Sequence, residues 1–387
     1  MLFRFRPCRV HRKIGCVRSE VLVFYKATNL KIKAGFTRCG LGAHRKECSS
    51  MSFRLLAVWL VLASALPGQT VHAIGDIFKP LASPALAVRD LSYLVFAICG
   101  AIFVIVAGLL TYALFRFRRR ASNDHVEPPQ VYGSNQIEIA WTVIPILIVF
   151  VITMATARVI AALQDKSQPA NAVLVTVIGH QWWWEFRYPG LNVVTANEMH
   201  IPVSPPGKER PAFLTLESAD VAHSFWIPQL SGKTDVIPNR ENHMWLDPHE
   251  TGIYYGNCAE YCGTQHANML IRVVVDSAED FDKWVAQQKQ PAIADPKVSQ
   301  ARDAFLGMAC VTCHTVRGTT ANGKFGPDLT HLMSRGTLAS GMIPNTAGTV
   351  FAWVGHPQAI KPGNLMPDMQ LNDKELEQVV SYLSTLR

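Results

Sequence analysis

Outside its first 50 residues, the chain lacks an excess of positive charge. The whole sequence carries 37 Lys and Arg against 29 Asp and Glu, a formal net charge of +8. Residues 1–50 hold 12 of the basic and 2 of the acidic residues, so residues 51–387 keep 25 against 27, a net charge of −2. The basic composition therefore gives no support for a nucleic-acid partner, and none is expected.

Those first 50 residues also lack a recognisable cysteine pattern. The spacings of Cys8, Cys16, Cys39 and Cys48 match neither a metal site nor a redox motif. We therefore expect residues 1–50 to be disordered or to lie upstream of the true start; a cytoplasmic leader is the alternative.

Residues 51–73 have the layout of a secretory signal peptide. After Met51 come a short basic flank, an apolar run over residues 55–66 and a small-residue cleavage site at residues 71–73. The mature chain is predicted to begin near Ile74.

The length of 387 residues predicts two or three domains, and residues 74–165 are predicted to form a membrane hairpin. Residues 91–115 contain no charged side chain, and about 20 apolar residues suffice to cross a bilayer. By the positive-inside rule, the loop after them is cytoplasmic, because it opens with Arg116, Arg118, Arg119 and Arg120. A second apolar run, residues 139–157, returns the chain through the membrane lipid to the outer side.

Four soft metal-ligand side chains follow within one short segment. Cys258, Cys262, His266 and Met269 are spaced so that one loop could turn two thiolates, an imidazole and a thioether towards one point. This set favours copper over zinc, because a thioether adds little for zinc. Two thiolates can bridge two copper ions, and His223 is the candidate for the second imidazole then needed. The alternative for the cysteine pair is an exported disulfide.

This loop, together with the Ala-His-Ser-Phe-Trp segment at residues 222–226, resembles the dinuclear copper (CuA) site of cytochrome c oxidase subunit II. The resemblance implies six copper ligands: bridging thiolates from Cys258 and Cys262, imidazoles from His223 and His266, and weak ligation by Met269 and the backbone carbonyl of Glu260.

Residues 166–285 are rich in short apolar runs separated by Pro and Gly. In residues 269–275, the apolar side chains alternate with others, as in a strand with one buried face. Such runs predict a β-sandwich, which the resemblance narrows to a cupredoxin-like domain. The predicted strands cover residues 172–179, 213–217, 243–246, 252–256 and 269–275.

The resemblance also implies roles outside the copper loop. Trp182 would be the near-surface residue at which electrons enter, with a packing role in the core as the alternative. Glu138, at the cytoplasmic start of the second span, would take up protons for subunit I, the alternative being a solvated helix-end charge. Residues 233–240 would face subunit I, and the Glu260 side chain would hold a magnesium ion at that interface.

Residues 286–298 are predicted to be a polar linker, and the segment after it carries Cys310-Val-Thr-Cys313-His314. This spacing indicates covalent haem attachment through both cysteines, with His314 as the proximal iron ligand. A thioredoxin-like cysteine pair is the alternative, but no βαβ pattern surrounds it.

The rest of this segment supports the haem interpretation. A carbonyl from residues 326–328 could orient the His314 ring. Met366 is predicted to ligate the opposite face in preference to Met369, because Pro367 holds the residue before it extended. A closing helix, residues 374–386, follows Asn372 as its N-cap. Residues 299–387 thus resemble an all-α class I cytochrome c.

The predicted multidomain membrane protein has the layout of subunit II in caa-type cytochrome c oxidases. That resemblance implies an electron relay from a cytochrome c or other upstream donor, through haem c and CuA, to haem a in subunit I, where O2 is reduced to water and protons are pumped. Subunits I and III would be its partners. It would lie in a bacterial-type inner membrane with both redox domains on the periplasmic side. The chain has no histidine-rich helix set, so the oxygen-reducing centre belongs to another subunit.

Two other functions remain open. A subunit II of a quinol oxidase would lack the copper ligands. The second alternative is a membrane-anchored electron carrier or copper module that acts alone, for example in nitrogen-oxide reduction. Glu138 and residues 233–240 argue against it, because both are expected only beside subunit I.

Overall fold

The computed structural model describes residues 75–118, 132–164, 170–208, 210–293 and 295–387, together with Gln130 and the backbone of residues 16–24 and 31–39. The chain divides into two compact units, Met1–Val71 and His72–Arg387. The predicted signal peptide and its cleavage site lie outside the described residues.

In the first unit, β1 (Cys16–Phe24) pairs antiparallel with β2 (Lys31–Cys39). Disorder was one of the two expectations for residues 1–50, but residues 16–24 and 31–39 form a β-hairpin. Residues 16–24 contain three Val and a Phe, and residues 31–39 contain Ile, Phe and Thr, all of which favour strands.

Two long helices open the second unit: α1 (Ser83–Arg116) and α2 (Asn135–Leu163). By length and composition, both could cross a membrane, and their apolar side chains face outward. Each is longer than its predicted span because the helix continues past charged residues, Arg89 and Asp90 before the first span and Arg158 after the second. The start of α1 is fixed to the next domain, since the Ser83 amide donates to Asp247 Oδ1 at 2.8 Å.

Ten strands form the sandwich that follows. One sheet has the order β10-β7-β3-β4-β5, and the other has the order β6-β12-β11-β8-β9. The strands are β3 (Val173–His180), β4 (Trp183–Tyr188), β5 (Val193–Ala196), β6 (Glu198–Pro202), β7 (Ala212–Ser218), β8 (His223–Trp226), β9 (Thr234–Val236), β10 (Asn242–Leu246), β11 (Gly252–Cys258) and β12 (Leu270–Asp276).

The sandwich core lies between these sheets. Its members include Trp184, Phe186 and Phe225, all fully buried. All five predicted strands are confirmed, with ends shifted by one or two residues. The five missed strands are short, and their polar residues conceal the alternation.

Helix α3 (Ala278–Gln288) closes the sandwich, and Trp284 on it stacks on His200 with ring centroids 4.4 Å apart. The predicted linker therefore starts too early, because its first three residues complete α3. Ser277 caps α3 by accepting from the Asp280 amide.

The C-terminal region is mainly helical, as predicted, with one two-residue strand pair. Phe305 and Tyr382 pack with ring centroids 5.3 Å apart and join its first and last helices. Asn372 caps the last helix, as predicted, but that helix ends earlier than expected. The elements are α4 (Ser299–Leu306), α5 (Cys310–Cys313), β13 (Thr337–Leu338), β14 (Ile343–Pro344), α6 (Ala347–Gly355), α7 (Pro357–Ile360) and α8 (Asp373–Leu383).

Candidate metal and haem sites

Four soft donors meet inside the sandwich at the end of β11. Cys258 closes that strand, and the loop after it turns back to bring Cys262 Sγ within 3.8 Å of Cys258 Sγ. Cys262 Sγ in turn lies 3.6 Å from His266 Nδ1 and 3.8 Å from Met269 Sδ. Both cysteines are buried and unlinked, which excludes the disulfide alternative in this structure.

The fifth donor comes from a neighbouring strand. Pairing of β8 with β11 brings His223 Nδ1 to 3.9 Å from Cys258 Sγ. The ligand atoms of His223, Cys258 and Cys262 all lie within 4.8 Å of one another. The carbonyl oxygen of Glu260 lies 3.1 Å from Cys258 Sγ.

Asp220 orients the His223 ring, a role that the sequence interpretation missed. His223 Nε2 donates to Asp220 Oδ1 at 2.8 Å, so Nδ1 is turned towards the sulfur atoms. The only signal in the sequence was a carboxylate three residues before the histidine, a spacing that is common on surfaces.

The ionisable groups of this site shift one another's pKa values, and one of the two thiols is favoured as a thiolate. The adjacent Cys262 thiol and the His223 ring lower the pKa of Cys258. The resulting negative charge raises the pKa of Cys262. Burial opposes a charge on His223, but Asp220 and Cys258 outweigh it and raise the pKa of that ring. Buried sulfur and imidazole donors of this kind fit copper ions.

Trp182 lies directly over the copper loop. Its indole Nε1 donates to Cys262 O at 2.9 Å. Gly263 makes this contact possible: its φ is +118°, and a Cβ there would stand 2.9 Å from Trp182 Cζ2. Trp182 is only 9% exposed, because the C-terminal domain covers the ring's surroundings, so the ring lies at an interface between two domains.

The second site surrounds a cavity in the C-terminal domain. Cys310 and Cys313 on α5 line it, beside His314. His314 Nδ1 donates to Pro327 O at 2.8 Å, which confirms the predicted orienting carbonyl. Burial lowers the pKa of His314 and keeps its imidazole neutral, as a metal ligand must be.

The same cavity is lined by both Met366 and Met369. The backbone of Met366 is held from two sides, because its amide donates to Asn364 Oδ1 and its carbonyl accepts from Gln358 Nε2, each at 2.8 Å. The contribution of Gln358 was not predicted, since a glutamine eight residues away forms no motif with a methionine.

The cavity also fits the polar edge of a haem. Arg335 on its wall is buried, and the Nε atom of that guanidinium lacks a partner among the described residues. A buried cation beside apolar walls, paired thiols and a neutral imidazole suits an iron porphyrin that carries carboxylates. Residues of the sandwich domain, among them Trp182 and Asn197, line the same cavity.

Comparison with known proteins agrees with both sites. The profile of the cytochrome c oxidase subunit II periplasmic domain matches residues 200–277, that of its transmembrane domain matches residues 71–159, and that of cytochrome c matches residues 298–387. Cytochrome c oxidase subunit 2 of Alkalihalophilus pseudofirmus is 33% identical over 293 residues, which cover 73% of this chain and 82% of that protein. The chain belongs to the cytochrome c oxidase subunit II family.

This chain is also similar to a second curated protein and to a solved structure. Cytochrome c oxidase subunit 2 of Bacillus subtilis is 30% identical over 85% of this chain and 97% of that protein. The crystal structure of the periplasmic domain of subunit II from Bradyrhizobium japonicum is 29% identical, covers 33% of this chain and 97% of that one, and has a TM-score of 0.29. This chain is therefore a membrane-anchored subunit II with a fused cytochrome c domain, and copper and haem c are the cofactors of its family.

Three subunit II features predicted from the resemblance lie apart from the two sites. Glu138 stands exposed in the first turn of α2. The Glu260 carboxylate is half exposed, and its Oε2 lies 3.9 Å from Lys233 Nζ. Part of residues 233–240 lines a groove with the end of α2, on the side of the sandwich that meets the membrane hairpin.

Proposed function

We propose that this subunit relays electrons from an upstream donor, through haem c and CuA, to haem a in subunit I of a proton-pumping oxidase. The observation that carries the proposal is the position of Trp182, which donates to the copper loop and also lines the haem cavity. When bound, the haem and the copper pair would each accept and release one electron at a time, with no bond made or broken.

The residues around CuA would hold two copper ions and keep water away from them. Cys258, Cys262, His223 and His266 would hold the ions. Met269 and the Glu260 carbonyl would contribute weakly. Asp220 would keep His223 in its ligating orientation.

In the cytochrome c domain, Cys310 and Cys313 would carry the haem, with His314 and Met366 on its two faces. The Pro327 carbonyl would fix the His314 ring, and Gln358 would fix the chain at Met366. The donor set argues against a quinol oxidase subunit, whose function needs no buried thiolate pair.

The remaining proposals concern the rest of the complex. Residues 233–240 would meet subunit I, with subunit III as a further partner. The Glu260 side chain would contribute to a magnesium site there, and Glu138 would take up protons at the cytoplasmic side. Both redox domains would then lie on the periplasmic side of a bacterial inner membrane.

Rapid-mixing spectroscopy of the purified oxidase tests the relay. After a reduced donor is added, haem c should become reduced first, CuA second and haem a last. Trp182→Phe should slow only the second step and leave copper content unchanged, because its ring supplies coupling and no ligand. Reduction of CuA before haem c in the wild type would contradict the proposed order.

A further inference from the structure

Lys361 occupies an unusual position for a lysine. It belongs to the cytochrome c domain and is 3% exposed. Its Nζ donates to three backbone carbonyls: Trp182 O at 2.8 Å, Asn268 O at 2.9 Å and Ala339 O at 3.2 Å. An ammonium group has three donors, so this arrangement uses all of them.

Two of these three carbonyls belong to the other domain. Trp182 lies over the copper loop, and Asn268 immediately precedes Met269 in that loop. No carboxylate among the described residues offsets the charge, and burial lowers the pKa of Lys361 to about 7. Burial of a lysine without an acidic partner is costly. A lysine that only stabilised its own domain would not need hydrogen bonds to two carbonyls of the other domain.

The residues after Lys361 continue the contact with the copper loop. Pro362 O accepts from Gln265 Nε2 at 2.6 Å, and an added Cβ on Gly363 would lie 3.2 Å from Thr264 Oγ1. Three residues later the chain reaches Met366, on the wall of the haem cavity. One short segment thus connects the haem cavity to the loop that carries the copper donors.

We propose that Lys361 is a positioning residue that fixes the haem domain against Trp182 and the copper loop, so that the distance between the two redox centres stays short and constant. This inference rests on the proposed electron relay. It adds a specific requirement: loss of the Lys361 contacts slows transfer between the domains without affecting either cofactor.

A second contact makes this requirement testable. Glu198 in the sandwich binds the cytochrome c domain independently, through Gly336 N at 2.9 Å and Thr337 Oγ1 at 2.7 Å. In Lys361→Met these bonds remain, so the domain should stay attached while its position becomes less fixed. The variant therefore separates positioning from attachment.

The location of Lys361 can be measured in the wild-type complex by acylation of amines followed by peptide mass spectrometry. Lys374, which is exposed on α8, is the internal reference. Lys361 should be modified far more slowly than Lys374. Equal rates of modification would show that the domains do not dock as described and would overturn the proposal.

The role of Lys361 is measured in the oxidase carrying Lys361→Met, with Lys374→Met as the matched control. Reduction of haem c by an external donor should keep its wild-type rate, while transfer from haem c to CuA should slow about tenfold, as expected for a small misplacement. Wild-type transfer in Lys361→Met, or loss of haem or copper from it, would overturn the positioning role. Absence of haem-to-copper transfer in the wild type would instead contradict the relay itself.

Discussion

The copper site and the haem site differ in how far apart in the sequence their residues lie. At the copper site, donors from β8 and from the copper loop between β11 and β12 meet within a few ångströms of one another. At the haem site, Cys310, Cys313 and His314 lie within five consecutive residues, and the surrounding side chains form a cavity that the other domain helps to line. The copper site thus depends on how the sandwich folds, whereas the haem site depends on a local motif and on docking.

The largest expected effect on the copper site comes from the removal of one thiolate. Cys258→Ser should abolish the mixed-valence copper EPR signal completely, because a two-copper centre needs both sulfur atoms to share its electron. The haem spectrum should not change, because no haem-site residue depends on Cys258. Cys99→Ser, in α1, is the control. A dinuclear signal that survives Cys258→Ser would show that the assigned ligands are wrong.

A comparable test on the haem side compares Met366→Ala with Met369→Ala. Loss of a methionine ligand should remove the weak long-wavelength absorption of the oxidised haem and lower its reduction potential. We expect both effects for Met366→Ala only, with CuA unchanged in both variants. The opposite result would transfer the ligand role to Met369, which also lines the cavity.

These sites also show what could be predicted from sequence. The haem motif was recognisable because α5 and His314 are contiguous, and the copper donors were recognisable because their spacing is regular. Asp220, Gln358 and Lys361 were missed because each acts through a contact that only the fold creates. The low exposure of Trp182 could not be predicted for the same reason, because the sequence around Trp182 does not show that a second domain covers it.

Asp220 offers a milder perturbation of the copper side. Asp220→Asn keeps an oxygen near His223 Nε2 but removes the charge, so copper affinity should fall by about 10-fold to 100-fold, as for other residues that orient a metal ligand. Copper titration of the metal-free complex measures this change, with Asp282→Asn as an exposed control. Unchanged affinity would mean that His223 needs no orienting partner.

The smallest expected effect concerns acid stability of the sandwich. Burial alone would raise the pKa of Glu185, but hydrogen bonds from His180 and Arg187 lower it below the usual 4.5. Its stabilising contribution is therefore present above pH 4.5 and is lost as the pH falls through the lowered value.

Glu185→Gln should accordingly reduce the free energy of unfolding by about 1–3 kcal/mol at pH 7, the range for charged hydrogen bonds. The difference from the wild type should shrink in acid. Urea titrations followed by tryptophan fluorescence at several pH values measure both quantities. A constant difference at every pH would indicate that the carboxylate charge contributes nothing.

The covered position of Trp182 has a consequence for the choice of redox partners. In the proposed relay, a diffusing carrier would meet a Trp182 ring that is only 9% exposed. Only the haem domain would then have to match the shape and charge of that carrier. Changes on its exposed surface, which includes Phe325 and Leu365, could adapt the oxidase to a new donor and leave the copper domain unaltered.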